Sequence, residues 1–383
     1  MPFLLVLGLA AFASTFSMRA VDPMLNILAT DLKVTLQDVA LLASAFTLPY
    51  AATQLVFGPI GDAVGKVRLV RVNLVLLAVG LAASALAVGH GSLMAARVFS
   101  GAVAGGIIPV VLAVVGDRVG FGDRAVALSR ILLAIVLGQL VGSSASGVIS
   151  AVVGWRAVFW MACAVAVVAA GAAAFGITEV RTIEKLSLRT AVARYRLVLR
   201  NPLALKVYAL AAVEGAAIFG AFPLVAPLMV RHGFGDAVEA GIVIAAFAVG
   251  GTGYTFVVAH LVRRLGLSGT AATGAVLVGL LLIAVALAPW LWLAGLVFAL
   301  AGFAFYMIHN MLQILATELA PEARGSGMAL FATSFFAGQA LGAIALVQLA
   351  LYLGPEGAFM AAGAIMLLLA WPVSRLPGVP AAR

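Results

Sequence analysis

The amino-acid sequence predicts an all-α membrane protein whose twelve transmembrane helices form two six-helix pseudo-repeats. Three observations carry this: an extreme apolar composition, a succession of apolar runs of spanning length, and a likeness between the two halves of the chain. Of 383 residues, 64% are hydrophobic and 10% charged, whereas an ordinary soluble domain carries roughly a quarter charged residues. Mean hydropathy is +1.19. A span takes about 20 apolar residues to cross about 30 Å of hydrocarbon, so the chain has room for about a dozen, with little left for a soluble domain.

Runs bounded by charges or by Pro and Gly place helices at about 3–21, 39–60, 69–89, 92–115, 126–150 and 155–177, then at about 203–230, 238–261, 268–288, 290–316, 324–353 and 355–376. The first run, Phe3 to Ser17, has the length of a signal peptide's apolar core. No Lys or Arg precedes it and many similar runs follow, so it is expected to stay as the first helix. A shift of 200 residues matches Arg124 with Arg324, Gly138 with Gly338, Gln139 with Gln339 and Gly142 with Gly342, so the fifth and eleventh helices read as copies. The domains expected are a six-helix bundle over 1–178, a basic linker over 179–202 and a second bundle over 203–383.

The net charge of +9 could suggest a nucleic-acid partner, but the basic residues sit in short segments between apolar runs rather than on one face. They read as topology signals instead. Of the 23 Lys and Arg residues, eighteen fall in one set of alternate loops, and four, Arg19, Lys33, Arg156 and Arg231, fall in the other, with Arg97 inside a span. Cytoplasmic loops retain positive charge, which puts both termini in the cytoplasm. The stretch Glu179 to Pro202 is basic enough to lie along an anionic lipid surface as an amphipathic segment. The single cysteine, Cys163, allows no disulfide framework or cysteine metal site.

Between the second and third helices the chain reads G-P-I-G-D-A-V-G-K-V-R, Gly58 to Arg68. Gly58 and Gly65 suit a tight turn between closely approaching helices, and Lys66 and Arg68 mark the cytoplasmic side. The segment closely resembles the Gly-x-x-x-Asp-x-x-Gly-basic-x-basic signature of the major facilitator superfamily. With the helix count, the central linker and the repeat, the resemblance covers nearly the whole chain, and within the superfamily it points to bacterial proton-coupled drug or sugar efflux permeases. It implies a monomeric secondary transporter of the bacterial inner membrane, not an enzyme, needing no cofactor or metal, whose partners are a small-molecule substrate, protons and the lipid bilayer. It implies alternating access, two bundles rocking about a midplane cavity lined by helices one, four, seven and ten. It further implies that Asp62 meets the inner N-terminus of helix eleven, where the helix dipole favours an anion, so that Gly58, Asp62, Gly65, Lys66, Arg68 and Arg324 form a conformational latch. In the second half Arg263 stands at the aspartate position, so one such latch is expected. No Gly-x-x-x-x-Gly-Lys-Ser/Thr nucleotide loop occurs in the sequence.

Charges inside spans are costly and are functional hypotheses by default. Arg97 followed by Gly101 resembles the Arg-x-x-x-Gly pattern of proton-coupled exporters. Arg97 and Asp22 are expected near the outer ends of helices four and one, where they could pair, although Asp22 could equally be a cap before Pro23. Glu214 stands about 12 residues into helix seven, roughly 18 Å deep at 1.5 Å per residue. A carboxylate near the midplane could load and release a proton as the cavity alternates; the plainer reading is a hydrogen-bonded structural glutamate beside Gly215. His309 lies at comparable depth in helix ten and begins a polar patch with Asn310 and Gln313. It could share the coupling proton or touch substrate, or be a packed histidine bonded to Gln313. One histidine and one glutamate are too few for a metal site.

Tyr50, Phe219, Phe222, Phe305 and Tyr306 could supply an aromatic pocket or ordinary packing. Gly138, Gly142 and Gly147 match the antiporter signature Gly-x-x-x-Gly-Pro-x-x-Gly-Gly only in part, because Ser143 and Ser146 interrupt it. Thr317 to Gly325 resembles the inner loop of bacterial exporters, where Glu318 and Arg324 could pair. The function expected is proton-coupled export of a small amphipathic or cationic molecule, drug or sugar. The alternatives are proton-driven uptake of a nutrient or organic acid, and a membrane enzyme or lipid-handling protein, for which no catalytic cluster is visible in the sequence.

Overall fold

The structure is a computed structural model that describes residues 2–119, 121–179 and 188–377, excepting the side chains of 2, 62, 121–126, 129, 188 and 189. The chain divides into two compact units, Met1–Val192 and Ala193–Arg383. Every regular element among the described residues is helical.

The first unit holds α1 (Pro2–Arg19), α2 (Leu25–Leu32), α3 (Leu36–Val64), α4 (Lys66–Ala85), α5 (His90–Ala104), α6 (Ile107–Arg118), α7 (Phe121–Val152) and α8 (Trp155–Gly176), followed by α9 (Leu188–Leu199) at the unit boundary. Local chemistry sets the breaks. Lys33 takes the left-handed conformation, φ 55°, and closes α2. Thr35 and Asp38 then start α3 with a reciprocal capping box, the Asp38 N–H donating to Thr35 Oγ1 and the Thr35 N–H to the Asp38 carboxylate, both at 3.1 Å. Gly65, φ 101°, ends α3, and Gly154, φ 103°, separates α7 from α8. The first span is longer than expected: α1 continues through a buried turn at Asp22–Met24 into α2, so the stretch runs from Phe3 to Leu32. Asp22 therefore lies within this continuous stretch, 2% exposed.

The second unit holds α10 (Ala204–Ile218), α11 (Val225–Arg231), α12 (Ala237–Ala286), α13 (Leu291–Glu318) and α14 (Arg324–Ser374). Pro223 sits in a tight 3₁₀ turn, Phe219–Leu224, that joins α10 to α11. In α12 and α14 the chain turns at Gly266 (φ 68°, ψ 172°) and Gly354 (φ 74°, ψ 168°), dihedrals no helix accommodates. Ten stretches among the described residues are long and apolar enough to cross a bilayer, six in the first unit and four in the second.

Glycines bring particular helix pairs into backbone contact. A Cβ on Gly138 would lie 2.6 Å from the Phe12 carbonyl oxygen, and one on Gly142 2.7 Å from that of Phe16, so α1 and α7 touch through main chain. In the second unit, Cβ atoms on Gly338 and Gly342 would collide with the carbonyls of Ala212 and Ala216, which brings α10 equally close to α14. Adding 200 to each residue of the first set gives the second. Gly101 of α5 meets the Phe46 carbonyl of α3, and Gly302 of α13 meets that of Phe247 in α12, a shift of 201.

Candidate functional site

Glu214 lies in α10 with its side chain fully buried. Gly215 beside it admits the Phe335 carbonyl of α14, so the two helices are close-set around the acid. His309, on α13, faces Glu214: Nδ1 is 3.1 Å from Oε2. One turn further along α13, Gln313 places its amide Nε2 3.1 Å from His309 Nε2. With that amide donating, Nε2 of the imidazole accepts, which leaves the Nδ1–H to donate to the carboxylate. Glu214 Oε1 has no hydrogen-bond partner among the described residues.

The three polar groups are wrapped in aromatic rings. The imidazole centroid lies 4.6 Å from that of Phe335, 4.7 Å from Phe305 and 5.2 Å from Phe331. In such apolar surroundings a charge on either group lacks water to compensate it, so each polar atom depends on the other two side chains for its partners.

The structure joins Glu214, His309 and Gln313 but sends Asn310 elsewhere. Its Nδ2 donates to Tyr254 Oη at 3.2 Å, and Tyr254 stacks on Tyr306 at 6.4 Å. Phe219, Phe222 and Phe305 pack on one another and on Phe247, Phe298 and Phe335, with Phe219 to Phe305 edge-on at 5.2 Å. All of these are buried. Sequence reasoning missed Tyr254, Phe331 and Phe335; the last two are four apart, one helical face of α14, a spacing that was there to be read.

In the first unit Arg97 is fully buried. Its Nη1 donates to the Ser17 carbonyl at 2.9 Å and its Nε to that of Leu42 at 3.3 Å, and the guanidinium lies 4.3 Å over the Phe46 ring. One side chain thus ties α1, α3 and α5. The expected pair with Asp22 is replaced: Arg19 Nη1 takes the Asp22 carboxylate at 3.3 Å. The buried turn after α1 places Arg19 three residues from the acid, and Arg97, already committed to two carbonyls, attracts Asp22 from a longer range. Tyr50, also buried, stacks on Phe46 at 6.0 Å.

At the junction of α3 and α4, Gly65 supplies the turn, whereas Gly58 lies inside α3, where an added Cβ would meet nothing within 4 Å among the described residues of its own unit. A helix can absorb a glycine where nothing crowds it. Lys66 pairs with Asp117 at 2.7 Å. The Glu179 carboxylate accepts from the backbone N–H of Arg68 at 2.7 Å and of Val67 at 3.3 Å, an anion at the N-terminus of α4. Arg71 donates to the carbonyls of Ala173 and Ile177, and Arg118 to that of Thr178. Glu179, expected to open the linker, is therefore bound to the first unit. The side chains of Asp62 and Arg124 lie outside the described residues, as do Arg181, Lys185 and Arg383. Arg324 pairs with Glu318 at 3.3 Å, an exposed contact.

Spanning helices of this number, with buried ionisable groups in both units, define a multi-pass α-helical membrane protein. The model of the major facilitator superfamily matches residues 7–343, so the chain belongs to that superfamily. It is 27% identical over 192 residues to the MFS-type transporter cpaT of Aspergillus oryzae, covering 50% of this chain and 38% of that one. It is 33% identical over 118 residues to the efflux pump radE of Floropilus chiversii, covering 31% and 22%. These stretches span well under half the length of the curated relatives they match. A crystal structure of a D-xylose–proton symporter superposes with a TM-score of 0.79 at 16% identity, covering 98% of each chain, which shows the shared fold.

Proposed function

We propose that the protein is a proton-coupled exporter that moves a small amphipathic or cationic molecule, drug or sugar, by alternating access. The observation that carries this reading is the buried chain Glu214–His309–Gln313 with an open carboxylate oxygen. A fully buried acid–base pair in an aromatic shell is an expensive structural device but a serviceable proton carrier, because the negative charge left when the pair releases one proton can be matched by a cationic solute. The Thr317 loop and the likeness to an efflux pump favour export over uptake.

On this reading α12 and α14 each supply two spans, divided at Gly266 and Gly354, since a continuous helix of 50 residues would be about 75 Å long against about 30 Å of hydrocarbon. That makes twelve. The matched glycine contacts, shifted by 200 residues, support two six-helix repeats, and the positive-inside bias supports cytoplasmic termini in a bacterial inner membrane. Lys66, Arg68 and Gly65, held by Asp117 and Glu179, are the fixed half of a cytoplasmic latch to which Asp62 and Arg324 contribute.

The test is flux in proteoliposomes under an imposed pH gradient, with a mixed library of drugs, sugars and amino acids, comparing the intact protein with Glu214→Gln. The proposal expects at least one solute to move with the gradient and the variant to lose that coupling while remaining folded. Normal coupling in the variant would transfer the role to Asp22 or His309. In inside-out vesicles an acidified lumen drives solute inward for an exporter; solute movement that follows the protons instead would establish uptake.

A further inference from the structure

Helix α9 joins the two units and stands apart in its chemistry. It reads LRTAVARYRLVL, and no acidic residue occurs from Leu188 to Pro202. Val192, Tyr195 and Leu199, spaced i, i+3 and i+7, share one side of the helix. Val192 is 56% exposed and Leu199 53%, although both are large and apolar. Arg196 and Arg200 form the adjacent row, both exposed, and neither guanidinium has an ion-pair partner among the described residues. Val198 is fully buried and marks the side turned to the protein, with Tyr195 half-buried next to it, so of the three it is Val192 and Leu199 that are left in the open. No other described helix packs extensively against α9.

The outward face therefore offers an apolar stripe flanked by two free guanidinium groups and no negative charge. Water satisfies the second feature and not the first. The covalent setting selects the occupant: Leu199 is five residues before Ala204, where a spanning stretch begins, and five extended residues reach no more than about 18 Å. Whatever covers α9 must lie at the membrane surface, where acyl-chain ends receive apolar side chains and headgroup phosphates receive arginines.

We propose that the outward face of α9 binds anionic phospholipid, with Val192 and Leu199 set into the headgroup–acyl boundary and Arg196 and Arg200 on the phosphates. This site is separate from the Glu214–His309 pair and stands whether or not that pair carries protons.

The experiment uses the full chain in nanodiscs, with Cys163→Ser and Val192→Cys carrying an environment-sensitive fluorophore. Quenching by a spin-labelled lipid reports docking, and quenching by aqueous acrylamide reports release. In discs containing phosphatidylglycerol the lipid quencher dominates; in pure phosphatidylcholine the docked-to-free ratio falls. Arg196→Gln and Arg200→Gln each lower it by about five-fold in the anionic discs, whereas the Arg→Lys pair retains it. Equal acrylamide quenching in both lipids would overturn the proposal, as would a label shielded from both quenchers everywhere, the sign of a protein partner. Should the glutamine variants fail to fold, the lipid comparison on the labelled chain still decides.

Discussion

Arg97 shows how a buried charge can be legible in a sequence while its partners are not. A charge inside an apolar run is conspicuous in a sequence, and so Arg97, Glu214 and His309 were all legible there. Partners were not, because they depend on where a helix bends: the buried turn at Asp22–Met24 hands Asp22 to Arg19 and leaves Arg97 to two carbonyls. Arg97→Lys should therefore destabilise the protein even though the charge is kept, since an ammonium cannot fork between two carbonyls and lie flat on Phe46. A buried carbonyl left unmatched costs about 1–3 kcal/mol, so the thermal unfolding temperature should fall; an unchanged temperature would show that the bonds contribute little. Gln313→Leu is the milder test of the acid–base pair. It leaves Glu214 and His309 in contact but frees the imidazole to reverse its tautomer, so solute flux should fall less than in Glu214→Gln and its pH profile should change shape.

At the scale of elements, the glycine contacts make the sharper prediction. Gly342→Ala puts a methyl group against the Ala216 carbonyl, where neither backbone can yield without shifting α10 and, with it, Glu214. Overpacking of this kind costs about 1–3 kcal/mol, and both melting temperature and coupled flux should drop. Gly295→Ala is the control: nothing lies within 4 Å of its added Cβ, so stability should stay within about 0.5 kcal/mol of the parent. Gly338 and Gly342 were legible as copies of Gly138 and Gly142, but what they touch was not, since a period in the sequence names a face and not its neighbour. Gly58 marks the limit of motif reading, because a signature glycine at a helix interior has no turn to make. Glu179 marks another: its cap on α4 joins residues 111 apart in the chain, beyond any local pattern. Replacing it with Ala should destabilise by about 1 kcal/mol, and Gln, which still offers an acceptor oxygen, should recover part of that, both read by thermal unfolding.

For the molecule as a whole, composition and run length made the membrane class legible without any motif, because 383 residues at this hydropathy have nowhere to go but into lipid or against other apolar helices. The helix ends were less legible: the apolar runs carry α1 past Arg19 into α2, where the charges and Pro23 suggested a stop. Substrate chemistry was the least legible, since the aromatic side chains expected to line a pocket pack on one another within the second unit. The proposed exchange of a proton on Glu214 and His309 for solute can be read by trapping a pH-sensitive dye inside proteoliposomes loaded with a solute the protein transports, diluting them into solute-free buffer, and following internal pH. Outward solute flow should acidify the lumen in the intact protein and leave it unchanged in Glu214→Gln. Equal acidification in the two proteins would contradict the proposed exchange.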